Sequence, residues 1–264
     1  MEVIIRPDVD LAARLVARLI RAELTAHPDL VLGLATGRTM ERVYGLLAGM
    51  HQAEGLDFSR CRTFNLDEYV GLGPDDPHSY RHYMDEHLFE HVNIDRRNTY
   101  LPNGLAEDLD AECQAYEAAI RRAGGIDVQL LGIGQSGHIG FNEPLSALQS
   151  RTRVKALTRA TVEQNAALFG GADLVPVRAI TMGVGTIMDA RRILLLATGV
   201  EKAAIMASAV EGPITAMISA TALQLHPRCT VVVDEDAALG LRGADYYRWI
   251  FETEPEWEPY RQDG

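Results

Sequence analysis

The stretch Leu130-Leu131-Gly132-Ile133-Gly134-Gln135-Ser136-Gly137-His138-Ile139-Gly140-Phe141-Asn142-Glu143-Pro144 constrains the fold of this chain more than any other. The apolar run Val128 to Ile133 has the length of a buried strand and breaks into glycines, which predicts a strand opening into a loop. The glycines let the loop backbone come close to a ligand. His138 and Glu143 both lie in this loop. Ligands of open α/β sheets bind at the carboxyl ends of the strands. The loop is therefore the first candidate for an active site, and a His–Glu hydrogen bond that merely ties the loop is the plain alternative.

Strand and helix signals alternate along the chain. Leu11 to Leu24 carries apolar residues at helical spacing, with Arg14, Arg18 and Arg21 turned outward. Leu30 to Leu34 reads as a strand that opens into Ala35-Thr36-Gly37-Arg38-Thr39, followed by a helix from about Met40 to His51. Thr63 to Leu66 reads as a strand ending at Asp67-Glu68-Tyr69. Helices are expected over Ser79–Leu88 and Leu109–Arg122, and strands over Ile126–Ile133, Arg151–Leu157, Ala179–Met182, Ile193–Ala197 and Thr230–Val233. A helix running to Val210 follows Thr198-Gly199-Val200-Glu201-Lys202. Such alternation implies an α/β fold: an open, mainly parallel, doubly wound sheet with right-handed crossovers and helices on both faces. No repeat or low-complexity linker divides it, so residues 1–264 are expected to form a single domain.

Composition excludes several function classes. A net charge of -12 argues against a nucleic-acid or anionic-membrane surface, while leaving room for a local basic pocket that holds a phosphate. Cys61, Cys113 and Cys229 lack metal-ligand spacing and read as reduced, buried thiols, which fits the cytoplasm. No apolar stretch is long enough to span a membrane, and Met1 to Asp10 does not read as a signal peptide.

The polar strand ends carry the remaining candidates. Thr36-Gly37-Arg38-Thr39 opens a helix, and helix N-terminal amides with threonine hydroxyls suit a phosphate. Ordinary capping by Thr36 or Thr39 is the alternative. Asp67 or Glu68 can act as a general base in a cleft, but neighbours on an extended segment point opposite ways, so at most one faces the site. Lys202 begins a helix, a poor place for a cation unless an anion is near. His226 reads as structural. His78, His82, His87 and His91 read as a solvated helix face and not as a metal site.

Several segments, in order along the chain, resemble the glucosamine-6-phosphate deaminase (isomerase) family. They are Leu32-Gly-Leu-Ala-Thr-Gly, Phe64-Asn-Leu-Asp-Glu-Tyr-Val-Gly-Leu, Gly137-His-Ile-Gly-Phe-Asn-Glu-Pro, Ser150-Arg-Thr-Arg-Val-Lys, Gly183-Val-Gly-Thr-Ile-Met-Asp-Ala and Leu223-Gln-Leu-His-Pro. The resemblance implies an aldose–ketose isomerisation with loss of ammonia, without metal or other cofactor, on a small-molecule amino-sugar phosphate. Asp67 then matches the base that moves the C2 proton to C1. His138 matches the ring-opening group and Glu143 the carboxylate that orients it. Thr36, Gly37, Arg38, Thr39 and Lys202 match phosphate-loop positions. Ser146, Arg153 and Lys155 match positions that bind an activating amino-sugar phosphate in allosteric members; here they can equally pair with acids.

Two positions depart from the family pattern. Ser136 stands where some members carry an aspartate beside the histidine. Serine can hydrogen-bond but cannot stabilise an imidazolium by charge. Ala167 stands where the family's arginine reaches the substrate phosphate, and Arg38 is the new cation in a phosphate segment. The leading expectation is conversion of glucosamine 6-phosphate to fructose 6-phosphate. A deaminase for another amino-sugar phosphate, such as galactosamine 6-phosphate, and a non-catalytic sugar-phosphate-sensing module are the alternatives. A homo-oligomer is left open.

Overall fold

The computed structural model describes residues 1–262, so the last two residues of the expected 1–264 unit lie outside it. The chain runs through β1 (Glu2–Arg6), α1 (Val9–Ala26), β2 (Val31–Leu34), α2 (Arg38–Glu54), β3 (Arg62–Asn65), β4 (Asp67–Tyr69), α3 (Tyr80–Met84) and β5 (Thr99–Tyr100). It continues through α4 (Leu109–Arg122), β6 (Val128–Leu131), β7 (Arg153–Ala156), α5 (Arg159–Phe169), β8 (Arg178–Thr181) and α6 (Val184–Met188). β9 (Arg192–Ala197), α7 (Ala203–Glu211), β10 (Cys229–Asp234), α8 (Glu235–Ala238) and α9 (Ala244–Thr253) complete it.

Local chemistry explains the longer helices. Asp8 caps α1 by accepting from Leu11 N at 2.8 Å, and Leu15, Val16, Leu19 and Ile20 form its buried face. Asp108 caps α4 in the same way, accepting from the Asp110 and Ala111 amides. The α4 bounds match the helix expected from the sequence. The helix expected over Ser79–Leu88 is α3, continued by a π-helical turn at Asp85–Phe89.

Seven strands form one parallel sheet in the order β1-β10-β9-β6-β2-β3-β5, with helices packed around it. The strand order positions the site. From β2 the chain passes through α2 to β3 and β5 on one side; after β6 it goes on to β9 and β10 on the other. Connections therefore diverge at the β2–β6 boundary and leave a crevice at the carboxyl ends of these strands.

The expectation of one sheet needs correction. Asp67-Glu68-Tyr69 is not a terminal loop but strand β4 of a second sheet, ordered β4-β8-β7 and antiparallel throughout. Asp67 pairs with Thr181, which also pairs with Arg153. The second sheet has a small core of its own, with Tyr69, Phe141, Phe169, Val175 and Ala179. Only Leu66 separates β3 from β4, and it locks the sheets together: its amide donates to Leu34 O, and its carbonyl accepts from Met182 N at 2.7 Å. β7 and β8 fall on the strands expected over Arg151–Leu157 and Ala179–Met182, but β4, three residues long, carries no period-two signature, and its partner lies far along the chain. Neither β1 nor β5 was expected from the sequence.

Candidate active site

A cavity of about 630 Å³ fills the crevice. The turns after β2 and β6, the end of β9, the β3–β4 junction and the inner face of α5 line it. A smaller hollow of about 380 Å³ lies at the opposite, amino-terminal edge of the sheet. Ion pairs wall it, Arg192–Glu23 at 2.8 Å and Arg191–Asp127 at 2.5 Å, and it holds none of the candidate residues. The larger cavity is the candidate site, because it sits at the switch point and gathers residues from both halves of the sheet.

Asp67 faces this cavity and is 6% exposed. Burial, with a smaller contribution from the neighbouring Glu68 carboxylate, pushes its carboxyl up to about 8. Glu68 points the other way, as strand alternation requires. It accepts from the amides of Tyr69 at 2.9 Å and of Tyr80 and Arg81 at 3.0 Å each, and so braces the start of α3. Burial pushes Glu68 up to about 7 despite these bonds. One carboxylate serves the cavity and the other the scaffold.

His138 crosses the floor of the glycine loop. A Cβ added to Gly134 would lie 2.1 Å from His138 Nε2, so only glycine lets the ring occupy that place. Gly140 has φ +55°, and its backbone passes Asp67: a Cβ there would come 3.5 Å from Asp67 Oδ2 and 2.9 Å from Thr181 Oγ1. Ser136 Oγ is 2.8 Å from His138 Nδ1, and Glu143 Oε2 is 3.4 Å from the same nitrogen. The serine contact is thus the closer hydrogen bond, and Glu143 stands at ion-pair distance. Burial opposes the charge on Glu143, but His138, the Thr161 hydroxyl and the Thr158 amide together outweigh it and hold the carboxyl down at about 2. The firmer of these supports are the Thr158 and Thr161 bonds, since Glu143 Oε2 itself has no formed hydrogen bond among the described residues.

Part of the cavity lining suits an anion. Thr36, Gly37, Arg38 and Thr39 form this part together with Lys202. Capping by Thr36 or Thr39 is not what the structure adopts: the N-cap of α2 is Gly37, with no side-chain bond to the first-turn amides. Lys202 reaches across to donate to Ile133 O at 2.9 Å, and burial lowers its proton affinity. Ala167 lies on the cavity wall, where its methyl offers no charge.

Arg153 donates to Asn142 Oδ1 at 2.9 Å and to Ser146 Oγ at 3.0 Å, so it braces the segment carrying Glu143 from behind. Lys155 follows two places on along β7, on the same face as Arg153. Among the described residues no cluster of histidine, cysteine or acid side chains could hold a metal. His78 stacks on Phe169, His91 bonds to Glu86 O and His87 lines the cavity beside Tyr83. His226 is buried, with Nε2 2.7 Å from Ala190 O.

Sequence reasoning missed the wall formed by Tyr80, Thr161, Gln164, Asn165 and Leu168. No motif marks these residues, and α5, which carries most of them, was not expected as a helix. Its local signals are Thr158, which caps it by accepting from Thr161 N, and Gly170, which ends it in the left-handed conformation.

An open α/β sheet whose switch-point cavity is lined by a buried carboxylate and a histidine is the framework of an enzyme. The chain belongs to the family described as glucosamine-6-phosphate isomerases/6-phosphogluconolactonase, whose model matches residues 9–232. It is 51% identical over 258 residues to a glucosamine-6-phosphate deaminase from Arthrobacter sp. (strain FB24), covering 98% of this chain and 99% of that one. A glucosamine-6-phosphate deaminase from Mycolicibacterium smegmatis is 49% identical, with 98% and 99% covered. Among solved structures, a monomeric glucosamine-6-phosphate deaminase superposes with a TM-score of 0.89 at 44% identity, over 91% of this chain and 100% of that one. A 6-phosphogluconolactonase from Trypanosoma cruzi, at 20% identity and TM-score 0.75 over 91% of this chain and 97% of that one, shares the fold.

Proposed function

We propose that this chain converts glucosamine 6-phosphate to fructose 6-phosphate and ammonia. His138 passes a proton between O1 and O5 and opens the pyranose, with Glu143 beside its Nδ1. Asp67 then removes the proton from C2 of the open chain and returns it to C1 through an enol-amine intermediate. The resulting ketimine takes up water and releases ammonia. A carboxylate can do this where water is largely excluded and its proton affinity lies near working pH. The observation that carries the reading is Asp67, buried in the cavity with its carboxyl pushed up to about 8. Thr36, Gly37, Arg38, Thr39 and Lys202 hold the phosphate, with the α2 amides adding a positive dipole end.

The test is ammonia release from a panel of amino-sugar 6-phosphates. Glucosamine 6-phosphate is expected to react fastest. Preferential turnover of the galactosamine compound would replace the substrate, and binding without turnover of any would favour a sensor. Three buried free cysteines and the absence, among the described residues, of a helix long and apolar enough to cross a membrane support a cytoplasmic setting. Regulation through Ser146, Arg153 and Lys155 would appear as activation by an amino-sugar phosphate. Gel filtration decides between a monomer and a homo-oligomer.

A further inference from the structure

The first turn of α5 is tied to the candidate proton-handling pair. Thr158 forms an ordinary cap, its hydroxyl accepting from Thr161 N at 3.3 Å. Its amide and hydroxyl also turn to Glu143 Oε1, each at 3.2 Å. The Thr161 hydroxyl donates to the same oxygen at 2.5 Å. Thr161 is 4% exposed and Glu143 2% exposed, so water does not compete for these bonds.

Three donors on one oxygen leave the other in an unusual state. Glu143 Oε2 is buried, has no hydrogen-bond partner among the described residues and faces His138 Nδ1 at 3.4 Å. A buried carboxylate oxygen without a donor is costly. The cost is offset where a positive charge forms beside it, as when the imidazole takes up a second proton. Oε1 is thus the anchored oxygen and Oε2 the one available to the histidine.

The same helix is seated at its far end. Asn165 Nδ2 donates to Tyr69 Oη at 3.0 Å, and Phe169 packs edge-on against Tyr69 at 5.3 Å and stacks with His78 at 4.7 Å. Between the two anchors α5 presents Gln164, Asn165 and Leu168 to the cavity. The position of this wall and the orientation of Glu143 are therefore set by one piece of structure.

We infer that Thr161, assisted by Thr158, is the positioning residue of the His138–Glu143 pair: it holds Glu143 so that Oε2 faces Nδ1 while α5 sits over the cavity. The inference rests on the deaminase reading for its kinetic consequence but not for its geometry. A neutral donor suits the task. A cation at residue 161 would neutralise the charge that His138 needs, whereas a hydroxyl orients the carboxylate and leaves it ionised.

The test compares Thr161→Val, nearly isosteric without the donor, with Thr161→Ser, which keeps it. For the cyclic substrate, Thr161→Val is expected to lower kcat about ten- to a hundredfold, with a much smaller effect on an open-chain analogue that cannot cyclise. Thr161→Ser should recover most of the rate. Equal losses on both substrates, failure of serine to rescue, or an unchanged valine variant would overturn the inference. A second measurement needs no turnover: NMR titration of the His138 imidazole in the unliganded protein. Arg38, Glu41, Asp67, His87, Glu201 and Lys202, the other charged or histidine side chains that line the cavity, are unchanged by the substitution. If position is lost in Thr161→Val, the anion moves off the ring and the titration midpoint falls. An unchanged midpoint, or a rise because the carboxylate has merely become more negative, would count against positioning. Should Thr161→Val prove too unstable, Thr161→Ala removes the same donor and is read identically. If the parent protein releases ammonia from no amino-sugar phosphate, the functional reading fails, while the titration still decides the role of Thr161.

Discussion

At the scale of the residue, the site depends on how two adjacent acids are used. Asp67 and Glu68 alternate across β4, so one meets the cavity and the other meets three backbone amides. If Asp67 is the base, Asp67→Asn should lower kcat by about three decades or more while substrate-analogue binding persists. A variant with a near-normal rate would remove Asp67 from the mechanism. The parent enzyme should also show kcat/KM rising with pH up to about 8, because the carboxyl must lose its proton to act and burial holds that proton on. A limb near the ordinary aspartate range would show that the carboxylate is better solvated than its 6% exposure implies. His138→Gln should slow the cyclic substrate about tenfold or more beyond its effect on an open-chain analogue. Equal losses on the two would sink the ring-opening role.

At the scale of the element, the proposed phosphate site draws on α2, and α5 faces the same cavity. The N-terminus of α2 offers amides with no capping side chain, and α5 offers the uncharged Gln164, Asn165 and Ala167. Arg38, exposed in the first turn of α2, lines the same cavity. A charge-assisted hydrogen bond contributes about 1.5–3 kcal/mol, so Arg38→Ala should raise KM about ten- to a hundredfold with little change in kcat. Ala167→Arg in that background should recover part of the loss, since both side chains would address one anion. The measurement is a double-mutant cycle on affinity for the sugar with and without its phosphate. Arg38 is not the clamp if the phosphorylated and unphosphorylated sugars weaken equally.

At the scale of the whole molecule, the buried acid couples function to stability. Asp67 titrates at about 8 in the folded protein against 3.8 as its ordinary value, so the folded state holds this proton more tightly than the unfolded chain. By linkage, its contribution to stability is fully present below about pH 4 and is lost as pH rises through about 8. Asp67→Asn removes that loss. The melting temperature of the variant should therefore gain on the parent between pH 5 and pH 9, by about 1 kcal/mol or more, or roughly 2–4 °C for a chain of this size. Glu68 is raised for the same reason but is present in both proteins, so it cancels in the comparison. Calorimetry that finds a constant or shrinking difference would show that Asp67 is not strained in the folded state.

The amino-acid sequence by itself determined the parallel α/β architecture, the glycine loop with His138 and Glu143, the acid at Asp67 and the polar turn at Thr36–Thr39. These follow from local causes: apolar runs of strand length, helical spacing and glycines where strands end. Only the tertiary structure decided that β4 leaves the first sheet, because its pairing with β8 joins segments distant in sequence and too short to show a period. It also decided which of Asp67 and Glu68 enters the cavity. Alternation requires a choice between them, but the choice is made by the register with Thr181 and by the α3 amides that claim Glu68. The bonds of Thr158 and Thr161 to Glu143 were hidden for the same reason. A hydroxyl at a helix start reads locally as a cap, and its second partner becomes visible only when the fold brings a buried carboxylate within 2.5 Å of Thr161.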